Sequence, residues 1–176
     1  MISLQTMGKL MNHSNSVVRA VAIASNWHSG KMRRNREHYV CHSIRVAARV
    51  MDMGVETNGI VAALLHDVLE KTGCTVDDLI AEGVAPQAID LVVKLSRKDG
   101  DVVKKSFMDC IDEIIESGDV DLMIIKLCDI EDNLIMEKGD TNVPGWDWED
   151  ALRRYTEGKI KLIRALDDMC VVIDSK

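Results

Sequence analysis

Apolar residues recur at helical spacing along nearly the whole chain, and no alternating apolar–polar stretch persists long enough to demand a sheet. The pattern predicts about eight helices. The first runs from Val17 to Trp27 with Ser16 as its N-cap and stops near Gly30, and a polar loop covers 29–37. His42 opens a second helix through Met53, with Gly54 as its C′ residue. A third begins at Thr57, contains IVAALLHDVLEK and ends at Gly73. Thr75 and Asp78 resemble a capping box for a helix closing at Gly83, and Pro86 suits the first turn of a helix to Leu95. Three more are predicted over Val102–Glu116, Val120–Glu137 and Trp148–Val172. The breaks richest in turn residues, 98–101 and 139–145, are too short for linkers, and no internal repeat is present. The expectation is one all-α domain over residues 1–176, a helical bundle.

Aromatic residues make up only 3% of the chain, so the core must rest on Val, Ile, Leu, Ala and Met. The net charge of −7 disfavours duplex nucleic acid as a partner. Lys31, Arg33, Arg34 and Arg36 nevertheless concentrate positive charge within six positions, which is either a solvated loop or a site for a small anion. Five dispersed cysteines without a CxxC pair point to a reducing, cytoplasmic setting. The N-terminus lacks a continuous apolar run of signal-peptide type, and the longest apolar stretch, 59–65, is far too short to span a bilayer.

Three interruptions of the apolar pattern could carry chemistry. In AALLHDVLEK, His66 and Asp67 break an apolar run, and Glu70 follows four and three residues later on a similar side. In IIKLCDIEDNL, Asp129 keeps the inward phase of Leu122 and Ile125, with Asn133 one turn on, whereas Glu131 and Asp132 read as solvent-facing. His42 stands at the start of its helix, where a histidine can also be a simple polar cap. An exposed polar stripe would account for each one singly. Together they offer two imidazoles and two carboxylates, a mixed nitrogen and oxygen set suited to Mn²⁺, Fe²⁺, Co²⁺ or Zn²⁺ rather than Ca²⁺. Water on such an ion is acidified and can attack phosphorus, with Glu70 placed to accept its proton.

The ordered blocks His28-Ser-Gly-Lys-Met-Arg33-Arg34, Tyr39-Val-Cys-His42, AALLHDVLE, and Lys126-Leu-Cys-Asp129 with Asn133 resemble the HD superfamily. Within it they are similar to the hydrolase domain of RelA/SpoT homologues and to stand-alone small alarmone hydrolases. The resemblance spans about 20–165 and takes in Pro144-Gly-Trp146 and Tyr155. It implies a helical bundle of the HD type, with His42, His66, Asp67 and Asp129 holding one divalent metal, typically Mn²⁺. Glu70 would then deprotonate or orient water, with Asn133 assisting near the metal. It also implies nucleotide contacts from Arg33 and Arg34, from Lys94, Ser96 and Arg97, and from Tyr155, and a structural role for His28.

Three positions depart from the family pattern. Lys71 replaces the last Asp of HDxxED, Ile130 replaces an Arg, and Ser43 replaces a Pro. The resulting expectation is a nucleotide pyrophosphohydrolase that removes the 3′-pyrophosphate of guanosine tetra- or pentaphosphate. A (deoxy)nucleotide phosphatase or triphosphohydrolase is one alternative, and a nucleotide-binding regulatory module without turnover is another.

Overall fold

The computed structural model describes residues 4–96, 105–136 and 147–174. Among these it is all-helical: α1 (Leu4–Trp27), α2 (Tyr39–Asp52), α3 (Thr57–Leu65), α4 (Val68–Lys71), α5 (Val76–Ala81), α6 (Pro86–Leu95), α7 (Phe107–Glu116), α8 (Val120–Met136) and α9 (Trp148–Asp174). No strand occurs among the described residues, only an isolated bridge between Met32 and His38 in the loop before α2. None of the described helices is long and apolar enough to cross a membrane.

The centre of the bundle is α3. Its residues Val61 to Leu65 are all buried, so no face is left for water, and α1, α2, α6 and α8 surround it. A helix apolar all round can be satisfied only in such a place. The neighbouring helices are amphipathic instead: α2 turns Val46, Ala47 and Val50 inward, and α8 turns Leu122, Met123 and Ile125 inward. The core is aliphatic, as the scarcity of aromatic residues requires, with Phe107 its one buried aromatic hydrocarbon ring among the described residues.

Several local predictions hold. Thr75 and Asp78 form a reciprocal capping box, Pro86 sits in the first turn of α6, and Gly54 follows the end of α2 with φ of 79°. Others are corrected. Ser16 lies inside α1 rather than capping it. Capping stabilises a helix by about 1 kcal/mol, too little to stop one when residues on both sides continue the ladder. The second helix starts at Tyr39, one turn before His42. The seventh starts at Phe107 behind a second capping box, Ser106 with Asp109, rather than at Val102.

The third predicted helix is two pieces, α3 and α4, broken at His66 and Asp67. Asp67 has φ of −101° and ψ of −6°, the bridge region where helix continuation weakens. His66 also donates from Nδ1 to the carbonyl of Ala63 at 2.8 Å, the acceptor that a continuing helix would offer to the Asp67 amide.

On the far side, α9 packs against α7 through Gly158. A Cβ there would stand 2.9 Å from the Phe107 ring. The close approach sets Tyr155, one turn earlier, edge-on to Phe107 with ring centroids 5.5 Å apart.

Candidate active site

Three helical segments bring the predicted side chains together. His42 comes from the first turn of α2, His66 and Asp67 from the α3–α4 break, and Asp129 from the middle of α8. His42 Nε2 lies 3.3 Å from Asp129 Oδ1 and 3.9 Å from Asp67 Oδ2. His66 Nε2 lies 3.5 Å from Asp67 Oδ2 and 3.7 Å from Asp129 Oδ1. These spacings exceed a good hydrogen bond. They match the edges of a coordination shell, where ligands about 2.1 Å from a cation stand roughly 3–4 Å from one another. Among the described residues, His42, His66 and Asp129 form the group whose ligand atoms all lie within 4.8 Å of one another, and Asp67 flanks it.

Each imidazole has its far nitrogen committed. His66 Nδ1 faces the Ala63 carbonyl, and His42 Nδ1 faces Asp132 Oδ2 at 2.8 Å. Both partners can only accept, so both Nδ1 atoms carry hydrogen and each Nε2 is the nitrogen turned toward the carboxylates. The two Nε2 atoms are buried and have no hydrogen-bond partner. A buried pair of orphaned nitrogens beside two carboxylates is an arrangement that a divalent cation would satisfy. By this test the residues fit a metal ion.

The electrostatics agree with that reading. Burial alone would raise the carboxyl groups of Asp67 and Asp129, but His66 for the first and Lys126 for the second hold both well below the usual carboxylate range. Burial would lower His66, yet Asp67 and Asp129 outweigh it and raise the ring to about 10. In the metal-free chain a proton on His66 thus supplies the positive charge that this cluster of acids calls for. At His28 burial prevails instead: it drives the ring down to about 4 although Asp67 opposes it, and the ring stays neutral. It stacks on Tyr39 at 4.6 Å, and Tyr39 donates its hydroxyl to Asp67 Oδ2 at 2.6 Å. A packing role for His28 agrees with that contact.

A cavity of about 480 Å³ opens beside the cluster, lined in part by His66, Asp67 and Asp129. Glu70, Asn133, Arg33, Arg34 and Tyr155 all line it, so these predicted residues converge on one space although the helix carrying Glu70 is broken. Glu70 Oε1 accepts a hydrogen bond of 2.7 Å from Lys71, the residue standing in place of the family's Asp. Asn133 donates to Asp129 Oδ1 and accepts from Arg33, so it ties the cluster to the basic loop.

The α6 block behaves differently. Lys94 is half exposed and paired with Asp90 at 2.7 Å, outside the cavity. Helical phase gives the inward position to its neighbour Leu95, which does line the space. Ser96 is buried at the end of α6 and is not part of the lining. Arg97 and the Pro144-Gly-Trp146 motif lie outside the described residues.

Other functional contacts were not foreseen. Asp132, expected to face solvent, is fully buried against His42. The sequence pattern assigns no role to Arg45, Glu37, Lys126 or Arg154, yet Arg45 joins Asp132 to Glu37, and Lys126 and Arg154 line the cavity. One signal was available. Arg45 follows His42 by three residues and Asp132 follows Asp129 by three, so each sits beside a member of the cluster on the same helical face.

A family profile described as HD domain matches residues 20–104, which contain His42, His66 and Asp67. Over those residues the chain is similar to HD domains. Its curated relatives include a probable guanosine-3′,5′-bis(diphosphate) 3′-pyrophosphohydrolase of Mycoplasma pneumoniae, 29% identical over 131 residues, covering 67% of this chain and 18% of the relative. Another is the guanosine-3′,5′-bis(diphosphate) 3′-pyrophosphohydrolase of Aquifex aeolicus, 34% identical over 67 residues, covering 38% of this chain and 10% of the relative. The chain therefore spans less than a fifth of the length of these relatives. A solved structure described as a metazoan ortholog of SpoT that hydrolyzes ppGpp superposes with a TM-score of 0.65 at 20% identity, covering 88% of this chain and 95% of that one. That likeness shows a shared fold: the HD-type bundle predicted from the sequence.

Proposed function

We propose that this chain is a metal-dependent phosphohydrolase that removes the 3′-pyrophosphate of guanosine tetra- or pentaphosphate. The observation that carries the reading is the convergence of two orphaned imidazole nitrogens with the carboxylates of Asp67 and Asp129, beside a cavity lined by Arg33 and Arg34. The names of the bacterial relatives support the substrate class.

His42, His66, Asp67 and Asp129 would hold one divalent cation. Mn²⁺ is the first choice, because two imidazoles with two carboxylates suit a borderline to hard ion. Such an ion supplies Lewis acidity toward a phosphoryl oxygen and an acidified water. The chain does the rest. Glu70, at the cavity wall, takes up the proton released as water attacks phosphorus. Arg33 and Arg34 meet the anionic substrate, where a planar guanidinium can grip phosphate or stack on a base. Asn133 keeps Asp129 Oδ1 oriented, and Tyr155 lines the same cavity. Among the described residues Cys41, Cys74, Cys110 and Cys128 form no disulfide, which is in keeping with a reducing, cytoplasmic setting.

The test is to incubate the purified chain with Mn²⁺ and guanosine tetraphosphate and to measure pyrophosphate. Release of pyrophosphate with guanosine diphosphate as co-product supports the assignment, and no release from a chain with metal demonstrably bound removes it. A parallel panel of nucleoside mono-, di- and triphosphates, read for phosphate and triphosphate, separates the alternative nucleotidase activity.

A further inference from the structure

The mechanism above leaves one fully buried carboxylate without a task. Asp132 has no exposed surface, and it sits on α8 among residues that pack against α2. An unpaired buried carboxylate is strongly unfavourable, so its partners must compensate. Its Oδ2 accepts from His42 Nδ1 at 2.8 Å and from Arg45 Nη2 at 2.9 Å, while its Oδ1 accepts from Arg45 Nε at 2.8 Å. The same guanidinium turns its other edge to Glu37, with Nη2 2.9 Å from Oε2 and Nη1 on Oε1. One arginine thus clamps two carboxylates, and one of those carboxylates grips the back of the His42 ring.

We propose that Asp132 is a positioning residue of the metal centre. It fixes the His42 ring with Nε2 toward the other ligands, while Arg45 and Glu37 hold Asp132 in the orientation that does so. The inference rests on the reading that His42 ligates a cation. Three observations carry it. A carboxylate can only accept, so hydrogen on His42 must reside at Nδ1 and the lone pair at Nε2. The carboxylate holds the ring from behind at 2.8 Å, as the carboxylates behind ligating histidines do. The bidentate Arg45 contact removes the rotational freedom that a single hydrogen bond would leave to the carboxylate.

A merely structural Arg45–Asp132 pair would join α2 to α8 and influence stability alone. The two roles separate in metal binding. We would titrate the full metal-free chain with Co²⁺, following its visible absorption, and compare wild type with Asp132→Asn, whose amide keeps the size and an acceptor but loses the charge. Helix content and thermal midpoint would be recorded without metal. The expected result is about a 10- to 100-fold weaker affinity for Co²⁺ in a chain that retains its helices. Equal affinity in the two proteins overturns the proposal.

Should Asp132→Asn fail to fold, Arg45→Gln decides. Arg45 touches no ligand directly and is partly exposed. Several-fold weaker Co²⁺ binding with unchanged helix content supports the proposal, and unchanged binding overturns it. A wild-type chain that takes up no Co²⁺ overturns the metal reading itself, a result distinct from equal binding by wild type and variant.

Discussion

Asn133 Oδ1 accepts a hydrogen bond of 2.6 Å from Arg33, although the two residues lie 100 positions apart. Through its Nδ2, the same Asn133 donates to Asp129 Oδ1 at 2.8 Å. The basic loop and the proposed metal cluster are therefore one connected unit, with an amide as the link.

Removing Arg33 should weaken substrate capture more than chemistry. A charged hydrogen bond is worth about 1.5–3 kcal/mol, so Arg33→Ala should raise KM for guanosine tetraphosphate by roughly 10- to 100-fold while kcat changes less. Steady-state kinetics with saturating Mn²⁺ would show it. A drop confined to kcat would contradict a substrate-binding role.

Glu70→Gln should do the opposite. Loss of a general base typically costs about 10²- to 10⁴-fold in rate, so kcat should fall by that order while metal affinity stays within a few fold. If both fall together, Glu70 serves the metal rather than the proton.

Metal uptake should be linked to protons. His66 is held at about 10 in the metal-free chain, chiefly because Asp67 outweighs its burial, so at pH 7.5 the ring carries a proton. It must lose that proton to offer Nε2. Mn²⁺ binding should then release about one proton near neutral pH, and affinity should fall about tenfold per pH unit as the solution is acidified. Calorimetry in two buffers of different ionisation enthalpy measures the release directly. Uptake with no release would place another group in the first coordination shell.

Asp129 carries a second burden. Lys126 is buried, donates to Asp129 Oδ2 at 2.9 Å, and lies over the Phe107 ring at 5.4 Å. Burial would lower its ammonium, but Asp129 beside it outweighs that and keeps it charged. Asp129→Ala should therefore abolish metal binding and also destabilise the metal-free chain by about 3–5 kcal/mol, the usual effect of stranding a buried charge. Adding Lys126→Met should restore much of the melting temperature but none of the metal affinity.

Gly158→Val should loosen the cavity wall. A side chain there meets the Phe107 ring, and overpacking costs about 1–3 kcal/mol. We expect a lower thermal midpoint together with weaker substrate binding, since Tyr155 and Phe107 share the contact. Normal kinetics in a destabilised variant would confine the effect to packing.

Much of this protein follows from local pattern. Helical periodicity, the Thr75–Asp78 box, Pro86 and Gly54 act over three or four residues, and the elements they specify are present. His66, Asp67 and Asp129 were legible because a polar group at an apolar phase of a helix is costly unless something compensates it. The break at His66 and Asp67 was not legible, because its cause is a side chain competing for a backbone carbonyl, which periodicity does not register.

Long-range facing relations belonged to the tertiary structure alone. Asp132 and Lys94 have similar local surroundings in sequence, each a charged residue on an amphipathic helix, yet one is fully buried against His42 and the other is half exposed beside Asp90. Helical phase assigns a residue to a face but does not say what lies opposite that face. The packing of α2 on α8 decided it, because only when two helices meet do an acid on one and an imidazole and a guanidinium on the other become each other's solvent.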